Sequence, residues 1–173
     1  MTSIKSKECF SGPLDNNFSM DELYTYFREN IQNKDMSING MKINFFDTLN
    51  ITGTVMYAES FHHITTKRNN NSGIREPEDR RFYINHIVPM IENINECKTC
   101  SNSSCSKIKI WTAPYSNKIK RTKILYIGGN YNYMIILEND IKCKNQLNVI
   151  TSYLGNEKWF LPKIMKEYNK YCK

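Results

Sequence analysis

A pair of adjacent histidines, His62 and His63, is the part of this sequence best suited to chemistry near neutral pH. An unperturbed imidazole titrates at about pH 6.5, so it can both accept and donate a proton under physiological conditions. Lysine, arginines and small hydroxyls surround the pair in the segment from Ala58 to Arg81, AESFHHITTKRNNNSGIREPEDRR. Proton transfer beside fixed positive charge is the chemistry needed to bind or cleave a phosphodiester.

The cations after the histidines are suited to hold phosphate oxygens. Lys67 and Arg68 follow within five residues, and Arg80 and Arg81 lie in the next predicted helix. An arginine fork fits two phosphate oxygens at once, and fixed charge stabilises a five-coordinate phosphorus. Neighbouring helical residues face different directions, so only one of Arg80 and Arg81 is expected to point at a site formed by the preceding loop. The alternative is an ordinary solvated surface.

Thr151, Ser152 and Tyr153 end the last predicted strand and form a third group of candidates. Side chains alternate along a strand, so Thr151 and Tyr153 should share one face while Ser152 takes the other. A hydroxyl on the phosphate and a ring beneath a base are the expected contributions of that pair. If a strand runs into the histidines, the same alternation leaves at most one imidazole in a cleft. The alternative to catalysis is that one ring is a buried hydrogen-bonding group and the other is solvated.

The six cysteines are interpreted in two ways. Cys97, Cys100 and Cys105 form a cysteine-rich insertion over residues 97–105 with a spacing typical of a zinc knuckle, and Cys143 would complete a structural four-thiolate zinc site. The alternative is a set of reduced thiols. The sequence begins without a segment that resembles a secretory signal, which favours the cytoplasm over an oxidising compartment.

Composition predicts one globular domain over residues 1–173, with residues 1–18 loosely ordered. Hydrophobic residues make up 40% and aromatic residues 12%, enough for a core. The formal net charge of +7 favours a polyanionic partner such as RNA, DNA or an acidic protein. No apolar run approaches the roughly 20 residues of a membrane-spanning helix, so no membrane partner is expected.

Hydrophobic periodicity predicts the elements that precede the candidate site. A capping box begins at Ser19, and an amphipathic helix is expected over residues 20–32. Residues 37–46 and 51–57 are predicted to pair as a hairpin whose second arm delivers the histidines, with Gly53 as a weak point or a bulge.

An α+β fold follows from the remaining segments. Pro77 is expected at the start of an arginine-bearing helix, and Pro89 is expected to end or kink it at His86 to Val88. His86 is interpreted as a structural residue. A closing helix is predicted at about residues 161–171. Four strands with short links predict a four-stranded antiparallel sheet, over residues 108–113, 122–127, 131–138 and 147–153.

The order of three segments resembles the barnase, EndoU, colicin and RelE-like (BECR) nucleases of phages and toxins. The segments are FHHITTKR at 61–68, RRFYINHIVPMIENI at 80–94 and NVITSYLG at 148–155. The resemblance implies helices packed on a four-stranded antiparallel sheet and a ribonuclease that needs no metal or other cofactor, with an antitoxin or immunity protein as partner. The site residues that it implies are His62 or His63, Lys67, Arg68, Arg81 and Thr151.

The expected reaction is RNA cleavage. A histidine or Lys67 removes the 2′-hydroxyl proton, Arg68 and Arg81 hold the phosphorane, and a second acid protonates the leaving oxygen to give a 2′,3′-cyclic phosphate. The sequence has no Walker loop, no paired acidic motif of a metal-dependent nuclease and no Gly-x-Ser-x-Gly element. Two alternatives are a non-catalytic, phage-encoded inhibitor that acts through its basic surface, and a zinc-stabilised interaction module.

Overall fold

A mixed sheet of six strands forms the centre of this α+β fold. The computed structural model describes residues 12–52, 55–94 and 108–172. The strands are β1 (Ser37–Ile38), β2 (Met41–Asn44), β3 (Leu49–Thr52), β4 (Val55–Ala58), β5 (Thr66–Arg68), β6 (Arg75–Pro77), β7 (Ile108–Pro114), β8 (Lys120–Ile127), β9 (Asn132–Asn139) and β10 (Gln146–Gly155). The helices are α1 (Met20–Phe27), α2 (Glu59–Thr65), α3 (Ile87–Glu92) and α4 (Phe160–Tyr171), with a π-helical turn at Arg28–Gln32 and a 3-10 helix at Asp79–His86.

The last four strands form the antiparallel meander that the sequence predicts, but the sheet continues beyond them. Its order is β1-β2-β10-β9-β8-β7, and β2 lies parallel to β10. The prediction of a four-stranded, purely antiparallel sheet is therefore wrong in strand number and in direction. Parallel pairing joins segments far apart in the chain, so no local turn signal announces it.

The predicted hairpin between residues 37–46 and 51–57 is also wrong in its pairing. The first segment folds on itself as β1 and β2, because Asn39 and Gly40 adopt positive φ angles of 50° and 79° in a two-residue turn. The second segment supplies β4, which pairs with β3. The expected irregularity at Gly53 lies outside the described residues.

The helices cover both faces of the sheet. Consecutive residues of β8 show the division, since Ile124 packs in the core with α1, α2 and α3 while Leu125 packs in a smaller core with α4. The capping box of α1 is confirmed: the Glu22 backbone N–H donates to Ser19 Oγ over 3.3 Å, and the Ser19 N–H donates to Glu22 Oε2 over 2.7 Å. Two layers of helices thus position one central sheet.

The two prolines differ in how far they match their predicted roles. Pro77 ends β6, and the 3-10 helix that carries the arginines begins two residues later, so Pro77 does not start that helix. The 3-10 helix ends at His86, within the range predicted for its end, and Pro89 lies in the first turn of α3, where a missing N–H leaves no helical hydrogen bond unmade. Of the predicted loose segment, residues 1–11 lie outside the described ranges, whereas the Leu14 N–H donates to the Phe82 carbonyl over 2.7 Å.

The longest helix in the described ranges is α4, with 12 residues. None of the helices found there combines the length and apolar character needed to cross a membrane.

Candidate nucleic-acid site

Helix α2 covers the part of β10 that β2 leaves uncovered. Strand β2 pairs with β10 only as far as Asn148. After Asn148, side-chain hydroxyls make the hydrogen bonds between β10 and α2. Three hydroxyls join helix and strand: Ser60 Oγ donates to the Val149 carbonyl (3.3 Å), Thr151 Oγ1 to the His63 carbonyl (3.1 Å) and Ser152 Oγ to the Ile64 carbonyl (2.8 Å). The histidine segment is thereby fixed against the end of the last strand.

The histidines lie on this helix and not on a strand, because β4 ends at Ala58. Successive residues of a helix are turned by about 100° and not by 180°, so the two imidazoles diverge without lying on opposite faces. His63 is half-buried and lines a groove, whereas His62 is only 8% exposed and does not line it.

The groove has a volume of about 780 Å³ and lies on the face of the sheet that carries α4. Six predicted site residues line it: His63, Lys67, Arg68, Arg80, Thr151 and Tyr153. Seven lysines and arginines line it against three glutamates, an excess of four positive charges. Three other candidates, His62, Arg81 and Ser152, do not contribute to its walls.

The environment of His63 keeps its imidazole neutral at pH 7. Burial is the largest cause of a lowered pKa, and the charge of Arg75 lowers the pKa further. The charge of Glu59 and the nearby Ile150 carbonyl partly offset this effect. A neutral imidazole carries a proton on one ring nitrogen and accepts at the other. Such an imidazole is suited to remove a proton.

The Ile150 carbonyl, which acts on the pKa of His63, belongs to an irregular part of β10. The register between β10 and β9 shifts between Val149 and Thr151, which makes Ile150 the extra residue of a β-bulge. Bulges redirect neighbouring groups and occur frequently beside active sites. No feature of the local sequence predicted this bulge.

His62 occupies a different environment. Burial lowers its pKa, with smaller contributions from Arg75 and His63. Its backbone carbonyl accepts a hydrogen bond from the Thr66 hydroxyl, which helps to end α2. Between the two histidines, only His63 contributes to the lining of the groove.

Three cations near His63 and one from α4, Lys163, line the groove without an acidic partner within the described ranges. No carboxylate there lies within ion-pairing distance of Lys67, Arg68 or Arg75. Arg75 is oriented by Thr66, to which its Nε donates over 2.9 Å and its Nη2 over 3.1 Å. Burial, followed by the charges of Arg80 and Arg68, lowers the pKa of Arg75. Such electrostatic crowding favours binding of an anion in the groove.

Arg80 and Arg81 are separated as the helical geometry requires. Arg80 is 4% exposed, and its guanidinium donates to the carbonyls of Ser152 and Thr66 while its Nε lies 3.0 Å from Glu78 Oε2. Arg81 lies 3.8 Å from Asp79 and outside the groove. The guanidinium of Arg80 therefore joins elements together more than it offers donors to a ligand.

The end of β10 shows the predicted alternation. Thr151 and Tyr153 line the groove, and Ser152 is fully buried on the other face. The hydroxyl proton of Thr151 is already donated to the His63 carbonyl, so in this conformation it orients α2. Tyr153 is 43% exposed, and its ring centre lies 5.7 Å from the Arg80 guanidinium carbon. Its ring is free to stack on a base.

The predicted zinc site falls mainly on residues that the structure does not describe. Cys97, Cys100 and Cys105 lie outside the described ranges, and Cys143 is exposed. Across residues 12–52, 55–94 and 108–172, no cluster of three or more histidine, cysteine or acidic side chains is placed to hold a metal.

The sequence reasoning missed two groups of residues that line the groove. Arg75 belongs to the same charged segment as the chosen arginines, and this is the signal that could have identified it. In the structure it lies in β6, opposite Arg68 of β5. Trp159 and Lys163 come from the start of α4, and no motif connected them with the histidines. Only the packing of α4 on the sheet brings them to this face.

Comparison with protein-family models, with curated proteins and with solved structures finds no match to this chain.

Proposed function

We propose that the protein is a metal-independent endoribonuclease that binds RNA in the groove and cleaves it by attack of the 2′-hydroxyl. The observation that carries this proposal is that His63, with a lowered pKa, shares one groove with Lys67, Arg68 and Arg75. A base for the hydroxyl and cations for the phosphate are the two requirements of this reaction. The resemblance to BECR nucleases adds support for a cytoplasmic toxin or phage-associated role with an antitoxin or immunity protein as partner.

In the proposed mechanism, the acceptor nitrogen of His63 removes the 2′-hydroxyl proton. The oxygen attacks the adjacent phosphorus, and Arg68 and Arg75 stabilise the charge that builds on the phosphorane oxygens. The role first expected of Arg81 is assigned to Arg75, because Arg75 lines the groove and Arg81 does not. Arg80 keeps Ser152 and Thr66 in place and so maintains the wall behind the phosphate.

The proposed acid is Lys67. His62 does not line the groove, so it is a poor candidate for protonating the leaving 5′-oxygen. Lys67 is exposed on β5, directly after the helix that carries His63. Its ammonium group can donate the proton, which breaks the bond from phosphorus to the 5′-oxygen and leaves a 2′,3′-cyclic phosphate.

Product analysis tests this function. A short RNA is incubated with the purified protein in the presence of EDTA, and the same sequence is supplied as DNA. The expected result is RNA fragments with 2′,3′-cyclic phosphate ends and intact DNA, because DNA lacks the nucleophile. Intact RNA at high protein concentration, or cleavage of both nucleic acids, overturns the proposal.

A second candidate is a non-catalytic binding protein, such as a phage-encoded inhibitor. The observation that favours it is that Arg80 and Thr151 already donate to backbone carbonyls, which leaves fewer groups for the transition state. Such a protein retards RNA in a gel without shortening it, and its affinity falls steeply with salt. The same assay with EDTA distinguishes the two functions.

A further inference from the structure

A second cleft, of about 510 Å³, lies between α4 and the strands β7 and β8. It shares four lining residues with the groove, namely Arg121, Lys123, Lys163 and Glu167. The two depressions are therefore adjoining parts of one surface. A chain bound in the groove can continue into the cleft without leaving the protein.

Positive charge in this cleft comes mainly from one side of α4. Lys163, Lys166 and Lys170 are spaced at i, i+3 and i+7, and all three line the cleft. In the part of the chain that the structure describes, no carboxylate lies within ion-pairing distance of these three lysines. Their charge is available to an anionic ligand.

The one glutamate in the lining of the cleft is held by internal contacts. Glu167 accepts hydrogen bonds from Lys123 Nζ over 2.7 and 2.8 Å and from Trp111 Nε1 over 3.0 Å. Burial raises the pKa of Glu167, but the contacts with Lys123 and Trp111 and the charge of Lys170 together lower it, so the carboxylate stays ionised beside Lys123. Five lysines and arginines line the cleft against this one glutamate, so the cleft keeps an excess of four positive charges.

An exposed aromatic ring lies at the wall of the cleft. Tyr115 is 59% exposed, and the Arg121 guanidinium carbon lies 3.4 Å from its ring centre. Arg121 is held in turn by Glu138, whose Oε1 lies 2.6 Å from Arg121 Nη2. One face of the ring is thus covered and its position is fixed, while the remaining exposed surface is available for stacking.

A second exposed ring stands where the groove meets α4. Trp159 is 58% exposed, and Lys163 Nζ lies 5.5 Å from its ring centre. Aromatic rings interleaved with lysines are typical of surfaces that bind single-stranded nucleic acid, because unstacked bases pack on the rings while phosphates meet the cations. A duplex keeps its bases stacked and would leave these rings unused.

We propose that this cleft is a binding subsite for the single-stranded RNA that flanks the cleaved phosphodiester. Lys166 and Lys170 contact phosphates, and Tyr115 stacks on a base. The inference rests on the proposed ribonuclease function, and it adds that the substrate is a single strand several nucleotides long.

Binding of uncleavable RNA tests the subsite separately from catalysis. The probes are fluorescent 2′-O-methyl oligonucleotides of twelve and four nucleotides, which lack the free nucleophile. The variants are Lys166→Gln/Lys170→Gln and Tyr115→Ala. The control is Lys142→Gln/Lys144→Gln, which removes the same charge from exposed positions in the turn before β10.

The double α4 variant is expected to weaken binding of the longer probe about tenfold or more. It should also reduce the salt slope of log K by about 1.4, because two phosphate contacts in a single strand contribute roughly 0.7 each. Tyr115→Ala should weaken the same probe about fivefold or more through lost stacking. Binding of the shorter probe is expected to stay unchanged in both variants, and the control should differ little from the wild type.

Three results would overturn the subsite. The first is equal binding of the two probes by the wild type, and the second is an equal loss of affinity in the control. The third combines two findings: polyglutamate competes with the longer probe as well as RNA does, and Tyr115→Ala has no effect on binding. This result would indicate an acidic protein partner. A wild type that binds the longer probe through α4 but leaves short RNA intact overturns only the ribonuclease function.

Discussion

Thr151 Oγ1 donates a 3.1 Å hydrogen bond to the backbone carbonyl of His63, a residue 88 positions earlier in the chain. Together with the bonds made by Ser60 and Ser152, it fixes α2 to the end of β10. The histidine segment and the end of β10, each of which the sequence predicts to contact a phosphate, are thereby in direct contact. The contact runs through the backbone of the histidine, so Thr151 influences where the imidazole lies.

Replacing His63 by Gln is expected to lower kcat for RNA cleavage by about 10²–10⁴-fold, because an amide cannot act as the base. Gln keeps a polar side chain of similar length at this half-buried position, so the fold should persist. His62→Gln is the matched control, and it should reduce the free energy of unfolding while leaving kcat within a few-fold. Single-turnover cleavage and urea unfolding measure the two effects. Equal kcat in the wild type and in His63→Gln would remove this imidazole from the mechanism.

The pH profile of cleavage should report the lowered pKa of His63. Protonation removes the base, so kcat/KM is expected to fall at acidic pH, with a midpoint below the usual histidine value of about 6.5. Arg75 lowers this pKa through its charge, so Arg75→Gln should move the acidic limb to higher pH. A limb that stays in place in this variant would show that the titrating group is not beside Arg75.

Arg68→Gln is expected to weaken RNA cleavage, whereas Arg81→Gln should leave it nearly unchanged. Both variants remove one positive charge, but only Arg68 lines the groove. A lost charge-assisted hydrogen bond to a phosphate costs about 1.5–3 kcal/mol, or roughly 10- to 150-fold in kcat/KM. The measurement is kcat/KM on a short RNA at fixed salt. Equal losses in the two variants would indicate a non-specific effect of net charge.

Arg80→Ala is expected to reduce the free energy of unfolding by about 3–5 kcal/mol. Removal of this buried guanidinium takes a donor from the carbonyls of Ser152 and Thr66, of which Thr66 keeps the bond from Arg75, and leaves Glu78 without its cation. Arg80→Lys should recover little of the loss, because an ammonium group cannot reproduce the planar fork. Urea unfolding measures both, with Arg81→Ala as a partly buried control whose ion pair with the exposed Asp79 is expected to contribute about 1 kcal/mol or less. A loss no greater than that of the control would contradict the structural role of Arg80.

His86 should make the protein less stable in acid. Burial among tyrosine rings lowers its pKa to about 4, whereas the unfolded chain titrates at about 6.5. As the pH falls from about 6.5 to 4, the unfolded state takes up the proton first, so the free energy of unfolding decreases by about 3 kcal/mol. In His86→Gln the free energy of unfolding should depend correspondingly less on pH over that range. The measurement is urea unfolding of the wild type and of the variant at a series of pH values. Parallel curves for the two proteins would contradict this prediction.

Local sequence determined the elements whose signals lie in neighbouring residues. The cap at Ser19, the four strands of the meander and the final helix are confirmed close to their predicted bounds. The alternation that places Thr151 and Tyr153 on one face and Ser152 on the other is also confirmed. Such features depend on backbone periodicity and capping, which consecutive side chains specify directly.

Only the tertiary structure decided how those elements meet. The parallel pairing of β2 with β10, the helical state of the histidine segment and the bulge at Ile150 all arise from contacts between distant parts of the chain. Those contacts place His63, but not His62, at the groove, and they direct the donors of Arg80 to backbone carbonyls. Residue type limits the chemistry a side chain can perform, whereas burial and hydrogen-bond partners decide which part of it is used.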